Sequence, residues 1–397
     1  MFARRFSSLF SNPIVLLLCM TFTMSFCFST WQVLLNNFVI EKAQFTGVEI
    51  GILQSLREVP GFLAFTAVFV LLVIREQRFA LLALLTMCVG VAVTGFFPHV
   101  LGLYITTVVM SLGFHYFETI NKSLTLQWLS KEDAPGFLGR ATAWKAGAAL
   151  SAYALIWLAM GQLHIDYKWM YLLSGLVGIF LTCLLIFCVP QFNQGVTQHK
   201  KLIVRRRYWL YYMLVFLSGA RRQIFMVFAG FMMVEKFHYS VAEISALFIV
   251  NYVFNFFFAR HIGNLIGKIG ERRALIFEYL GLVCVFLGYA FVQNAEMAAV
   301  LYVVDHLFFA FAIAISTYFQ KIAYPEDIAA TASVSFTINH IAAVVVPAVL
   351  GIIWMVSNMA VFLIGAGLAF TSLFFSLKIP LRPEQENRVV AWGLSGR

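Results

Sequence analysis

The sequence predicts an all-α integral membrane protein whose twelve transmembrane helices form two parallel six-helix repeats, and three observations carry that prediction. Of its 397 residues, 61% are hydrophobic and 12% charged, against roughly 25% charged in soluble domains. Apolar runs recur twelve times, each close to the ~20 residues that cross a bilayer. The charged landmarks of the first half return in the second at a fixed offset of 194.

The twelve runs fall near 14–38, 47–73, 79–97, 100–124, 139–161, 170–189, 208–233, 241–262, 274–293, 298–322, 332–356 and 359–378. Strands of a membrane barrel would alternate apolar and polar residues with a period of two; these runs do not.

At the offset of 194, Glu41 and Lys42 fall on Glu235 and Lys236, Glu49 on Glu243, Arg78 on Arg272, and Glu132-Asp133 on Glu326-Asp327. Chance would supply about one such identity in a chain this poor in charge; there are six. The surrounding stretches are alike too, VIEKAQFTGVEIG against MVEKFHYSVAEIS. The chain therefore divides into a bundle over 1–189, a cytoplasmic linker over 190–207 and a second bundle with a short tail over 208–397. The linker, PQFNQGVTQHKKLIVRRR, holds five cations and no acid.

The net charge of +10 would suit a nucleic-acid binder, but its distribution does not. With the termini, the linker and alternate loops on one side, that side collects twenty Lys and Arg, whereas the opposite loops hold Lys42, Lys168 and Lys236. Such asymmetry puts both termini in the cytoplasm, in a plasma membrane that is the inner membrane if the source is prokaryotic. The first apolar run follows a basic start but lacks a small-residue cleavage site, which reads as a retained helix. All six cysteines lie in apolar runs without a CxxC pair and read as reduced packing residues.

Polar residues inside the spans are the functional candidates, because an ionisable side chain at membrane depth costs several kcal/mol unless paired or wetted. Span one carries Ser29, Thr30 and Gln32. Span two carries Arg57 and Glu58 before Pro60-Gly61, either an internal ion pair or part of a substrate or coupling site. In span four, His115, Glu118 and Lys122 recur on one helical face. There Glu118 either neutralises Lys122 or joins His115 in a proton relay. Span five sets Lys145 among Ala141, Ala148, Ala149 and Ala152. In span seven Arg221 and Arg222 point about 100° apart, and Arg222, sharing a face with Ser218 and Gly219, is the one expected to meet a cavity. Spans eight, ten and eleven add Asn251 and Asn255, Asp305 and His306, and Asn339 and His340. The offset aligns Asn251 with Arg57 and Asn339 with Lys145. Spans three, six and twelve have no charged interior residue, and span nine has Glu278 alone, towards its cytoplasmic end.

No nucleophile, zinc, dinucleotide or phosphate-loop motif occurs, so no enzyme, cofactor, metal or nucleic-acid partner is expected. The intramembrane cations Arg57, Lys122, Lys145, Arg221 and Arg222 outnumber Glu58, Glu118 and Asp305. Uncompensated charge is costly, so something negative is expected to complete the site.

Over essentially its whole length the chain resembles the major facilitator superfamily. The resemblance rests on two six-span repeats, the basic linker after span six and the loop Gly263-Asn264-Leu265-Ile266-Gly267-Lys268-Ile269-Gly270-Glu271-Arg272-Arg273 after span eight. That loop is similar to the family signature G-x-x-x-D-(R/K)-x-G-R-(R/K)-(R/K), with Gly267 in place of the acid and Glu271 in place of an arginine. The resemblance implies that spans one, four, seven and ten line a central cavity, that two, five, eight and eleven flank it, and that three, six, nine and twelve face lipid. It implies a gating loop at Gly263, Lys268, Gly270 and Arg272. It further implies a secondary active transporter working by alternating access about a midplane site.

The expected substrate is a small organic anion or zwitterion held by Arg57, Lys145, Arg222, Asn251 and Asn339. Protons are expected to couple through Glu118, His115, Asp305 and Glu58, and the chain to work in the lipid bilayer as a monomer. Efflux of amphipathic compounds remains open as an alternative, and beyond it a membrane sensor or a lipid-modifying enzyme.

Overall fold

A computed structural model describes residues 12–129, 134–192, 204–324 and 328–381. Among these residues there is no strand. The first half contributes α1 (Pro13–Glu41), α2 (Gly47–Phe62, continued by a 3-10 turn, Leu63–Thr66, and Ala67–Leu71), α3 (Glu76–Thr94), α4 (Val100–Trp128), α5 (Ala134–Gly161) and α6 (Tyr167–Cys188). The second contributes α7 (Trp209–Gln223, then a π-helical stretch, Ile224–Ala229, then Gly230–Glu235), α8 (Val241–Ile269) and α9 (Glu271–Phe291). It is completed by α10 (Ala295–Phe309, a 3-10 turn Ala310–Ala312, then Ile313–Ile322), α11 (Ile328–Val356) and α12 (Asn358–Ser376). Among the described residues ten helices are long and apolar enough to cross a membrane. The broken α2 and the polar-tipped α8 complete the twelve.

The repeat extends from charge pattern to backbone. Thr46 and Glu49 form a capping box at the start of α2, and Ser240 and Glu243, 194 residues later, exchange the same two hydrogen bonds at the start of α8. Each box satisfies backbone N–H groups that the first helical turn leaves unpaired. The turn before each box contains a left-handed residue at the same repeat position, Gln44 (φ 54°) and His238 (φ 56°). Packing repeats as well: α1 packs on α5 and α6 and α3 on α6, while α7 packs on α11 and α12 and α9 on α12.

Small residues set these contacts. A methyl group on Gly113 would meet the Met87 backbone nitrogen at 2.3 Å, and one on Gly175 would meet Ala92 at 2.4 Å. Without a hydrophobic drive between helices in lipid, such close approach is what helix association rests on. Large side chains such as Phe180, Phe187, Phe291 and Phe370 stay exposed, as lipid-facing residues should.

The chain forms two compact units, one of residues 1–198 with 238–252 and the other of 199–237 with 253–397, as far as the described residues extend.

Candidate functional site

In the first unit, Arg57 and Glu58 are an ion pair within α2, their side chains 12% and 8% exposed. The Ser111 hydroxyl of α4 donates to the Arg57 carbonyl, tying that turn to α4. A Glu58 carboxylate oxygen and a ring nitrogen of buried His115 lie within 4.8 Å. These two sequence candidates from different spans therefore meet.

Glu118 does not take the same-helix partner that the sequence suggests. Its described ion pair is with Lys145, Nζ to Oε1 3.8 Å. The lysine reaches it from α5, so the carboxylate ties α4 to α5 instead of neutralising its own helix. Both side chains remain open, 37% exposed for Glu118 and 47% for Lys145. Ser25 of α1 donates to the Lys145 carbonyl at 2.9 Å, and Ala148, Ala149 and Ala152 are fully buried one and two turns on. Asn251 on α8 is 1% exposed, and neither polar atom of its side chain has a hydrogen-bond partner among the described residues.

In the second unit the two arginines diverge as the helical wheel requires. Arg222 is half-buried, and its Nη2 lies 3.4 Å from Asn339 Oδ1 on α11. Gly219 makes room for that contact, because a Cβ there would fall 2.5 Å from Asn339 Oδ1. Arg221 is 3% exposed. Its Nη1 faces Glu278 Oε1 of α9 at 3.8 Å, its guanidinium lies 4.3 Å from the Tyr279 ring centre, and its Nε donates to the Leu217 carbonyl.

Glu278 and Asp305 are 2% and 0% exposed. With Ser218, Arg221 and Arg222 they line a cavity of about 10 Å3. Sequence reasoning missed Glu278 by placing α9 against lipid, and passed over Arg221. A single acid inside an otherwise uncharged span is itself the signal, since it requires a cation at the same depth.

The expected gating loop is almost entirely helix. Gly263 and Lys268 lie within α8 and Arg272 in the first turn of α9, leaving only Gly270 between them. Its φ of +83° is a conformation that glycine alone adopts cheaply. Two consecutive helices thus join at this one residue without a loop. Glu271, where the family signature has an arginine, is 4% exposed and bridges Lys321 at the end of α10 at 3.0 Å.

The model of the Major Facilitator Superfamily matches residues 17–347 and 212–394. No curated protein sequence matches the chain. Among solved structures, the D323A mutant of the nucleoside transporter NupG is similar at TM-score 0.78 and 14% identity, covering 93% of this chain and 100% of that one. A POT family transporter in complex with 5-aminolevulinic acid follows at TM-score 0.71 and 11% identity, covering 92% and 94%. A bacterial homologue of the human lysosomal transporter Spinster, inward-facing and unoccupied, gives TM-score 0.68 and 13% identity, covering 95% and 96%. At such identities the likeness concerns the fold, and the family match carries the assignment. The chain belongs to the major facilitator superfamily: it is a multi-pass membrane transporter of a small solute and not an enzyme.

Proposed function

We propose that the chain is a secondary active transporter of a small organic anion or zwitterion, coupled to protons and working by alternating access. The reading places it in the plasma membrane as a monomer with both termini cytoplasmic. The observation that carries it is the charge inside the first unit. Arg57, Lys122 and Lys145 stand against Glu58 and Glu118, and Lys145 with Glu118 is an open ion pair, 47% and 37% exposed. An ion pair in contact with water is worth little, about 0–1 kcal/mol, so an incoming carboxylate or phosphate can take Lys145 from Glu118 at small cost. In the second unit Arg222 and Asn339 present a cation beside an amide, which suits the same class of ligand. Asn251 and Arg57 complete the proposed substrate contacts. Glu118, released from Lys145, becomes free to take a proton, with His115, Glu58 and Asp305 as the other proton carriers.

The test is a thermal-unfolding panel of purified protein against anionic, zwitterionic, cationic and neutral metabolites, with 5-aminolevulinic acid and nucleosides among them. A ligand at a hundredfold excess over its Kd adds roughly 2.7 kcal/mol to the state that binds it. Anionic or zwitterionic compounds are expected to raise the midpoint of the wild type, and Lys145→Ala and Arg222→Ala to abolish the shift while still inserting and folding. Stabilisation confined to cationic or neutral compounds would contradict the proposed substrate class.

A further inference from the structure

We propose that Arg221, Glu278 and Asp305 form a one-proton site inside the second unit, two carboxyls sharing a single proton against a fixed guanidinium. The proposal rests on the proton-coupled reading above and adds Arg221 and Glu278 to Asp305, one of the proton carriers named there.

All three side chains are withdrawn from solvent, at 3%, 2% and 0% exposure. Both oxygens of Asp305, the second oxygen of Glu278 and both terminal guanidinium nitrogens of Arg221 lack a hydrogen-bond partner among the described residues. So many orphaned polar atoms in one place are rare in a folded protein and call for a bound species. The cavity that they line, about 10 Å3, has room for roughly one water.

Charge identifies the other occupant. Two acids and one cation leave one negative charge where a lone ion is very costly. A proton closes that balance without needing volume, and it gives the orphaned acceptors a donor. A metal cation would have to sit against the Arg221 guanidinium. The remaining titratable groups do not close the balance. Arg222 reaches the cavity wall but is half-buried and engages Asn339. Tyr279 lies under Arg221, and Tyr289 and Tyr302 lie within electrostatic reach of Asp305. Phenols are neutral near pH 7. His306, next along α10, packs against Phe225.

The backbone beside the cluster is the part of the bundle suited to respond. The π-helical stretch of α7 starts at Ile224, two residues beyond Arg222, and the 3-10 turn of α10 ends at Ala312, which itself lines the cavity. Non-α turns within long helices mark hinges. Proton loading takes the buried cluster from one negative charge to none at the point where two of its three helices depart from α geometry. The proton comes from water onto a carboxylate oxygen and leaves by the reverse step; no electron moves.

The experiment is infrared difference spectroscopy of the full chain in nanodiscs, following the C=O stretch of protonated carboxylic acid across a pH titration. The wild type should show such a band near neutral pH. Glu278→Gln and Asp305→Asn should each remove it, because either change leaves one acid balanced by Arg221. Glu296→Gln, at an exposed position in the first turn of α10, should leave it unchanged. A wild type without the band overturns the proposal even if the variants fail to fold, and so does a band that survives in both Glu278→Gln and Asp305→Asn. Sensitivity of the band to sodium at fixed pH would also overturn it, replacing the proton by a metal cation. The readout needs no transport, so a band that behaves as expected in a chain that builds no solute gradient from a pH gradient retains the site and removes proton coupling instead.

Discussion

The two halves share their helix order, their capping boxes and even the left-handed residue before each box, yet an ion pair that joins two helices in the first differs sharply in exposure from one that joins two helices in the second. In the first half Lys145 and Glu118 meet with more than a third of each side chain exposed. In the second, Arg221 and Glu278 meet with 3% of each exposed. The fold does not dictate the difference; the neighbours of each ion pair do. An open pair has water as a competitor and can exchange partners cheaply, whereas the closed pair shares its cavity with buried Asp305. The same scaffold therefore holds one intramembrane cation in an open ion pair and one in a closed pair.

The largest effect should come from breaking the closed pair. Arg221→Met leaves Glu278 and Asp305 without their cation, and removal of one partner from a buried ion pair costs about 3–5 kcal/mol. Denaturant unfolding in detergent should show that loss, and Lys145→Met, the equivalent change to the open pair, should cost no more than about 1 kcal/mol. Equal losses in the two variants would erase the contrast.

The smallest effect sharpens what the halves have in common. Thr46→Ala and Ser240→Ala each delete a helix cap worth about 1 kcal/mol. Because the two boxes occupy the same repeat position, the losses should match within a few tenths of a kcal/mol. Amide exchange at the start of α2 and of α8 would report them separately, and protection lost at only one of the two sites would show that the boxes do different work.

Much of the architecture was legible in the sequence because hydropathy and length alone define spans, and the charge repeat orders them. Breaks within the helices were less so. Pro60-Gly61 marks the end of regular helix in α2, but nothing in Ile224–Ala229 distinguishes a π-helical stretch from an α-helix. The loop between α8 and α9 shrank to Gly270 for a related reason: polar residues such as Lys268 read as loop, although a helix can simply continue past the membrane. At the site, helical geometry separated Arg221 from Arg222 correctly as directions. It did not reveal that Glu278 waits opposite Arg221, since partners on different helices depend on packing that periodicity does not encode. Lys145 taking Glu118 from Lys122 is the same lesson.

The most direct test of the account uses proteoliposomes with an imposed pH gradient, loaded with whichever solute stabilises the protein best in the thermal panel. Wild-type protein should accumulate that solute against its gradient. Glu118→Gln should lose accumulation while solute exchange down its own gradient persists, because exchange needs no net change in protonation. Undiminished accumulation by Glu118→Gln would take this carboxylate out of proton coupling and contradict the role given to the open pair.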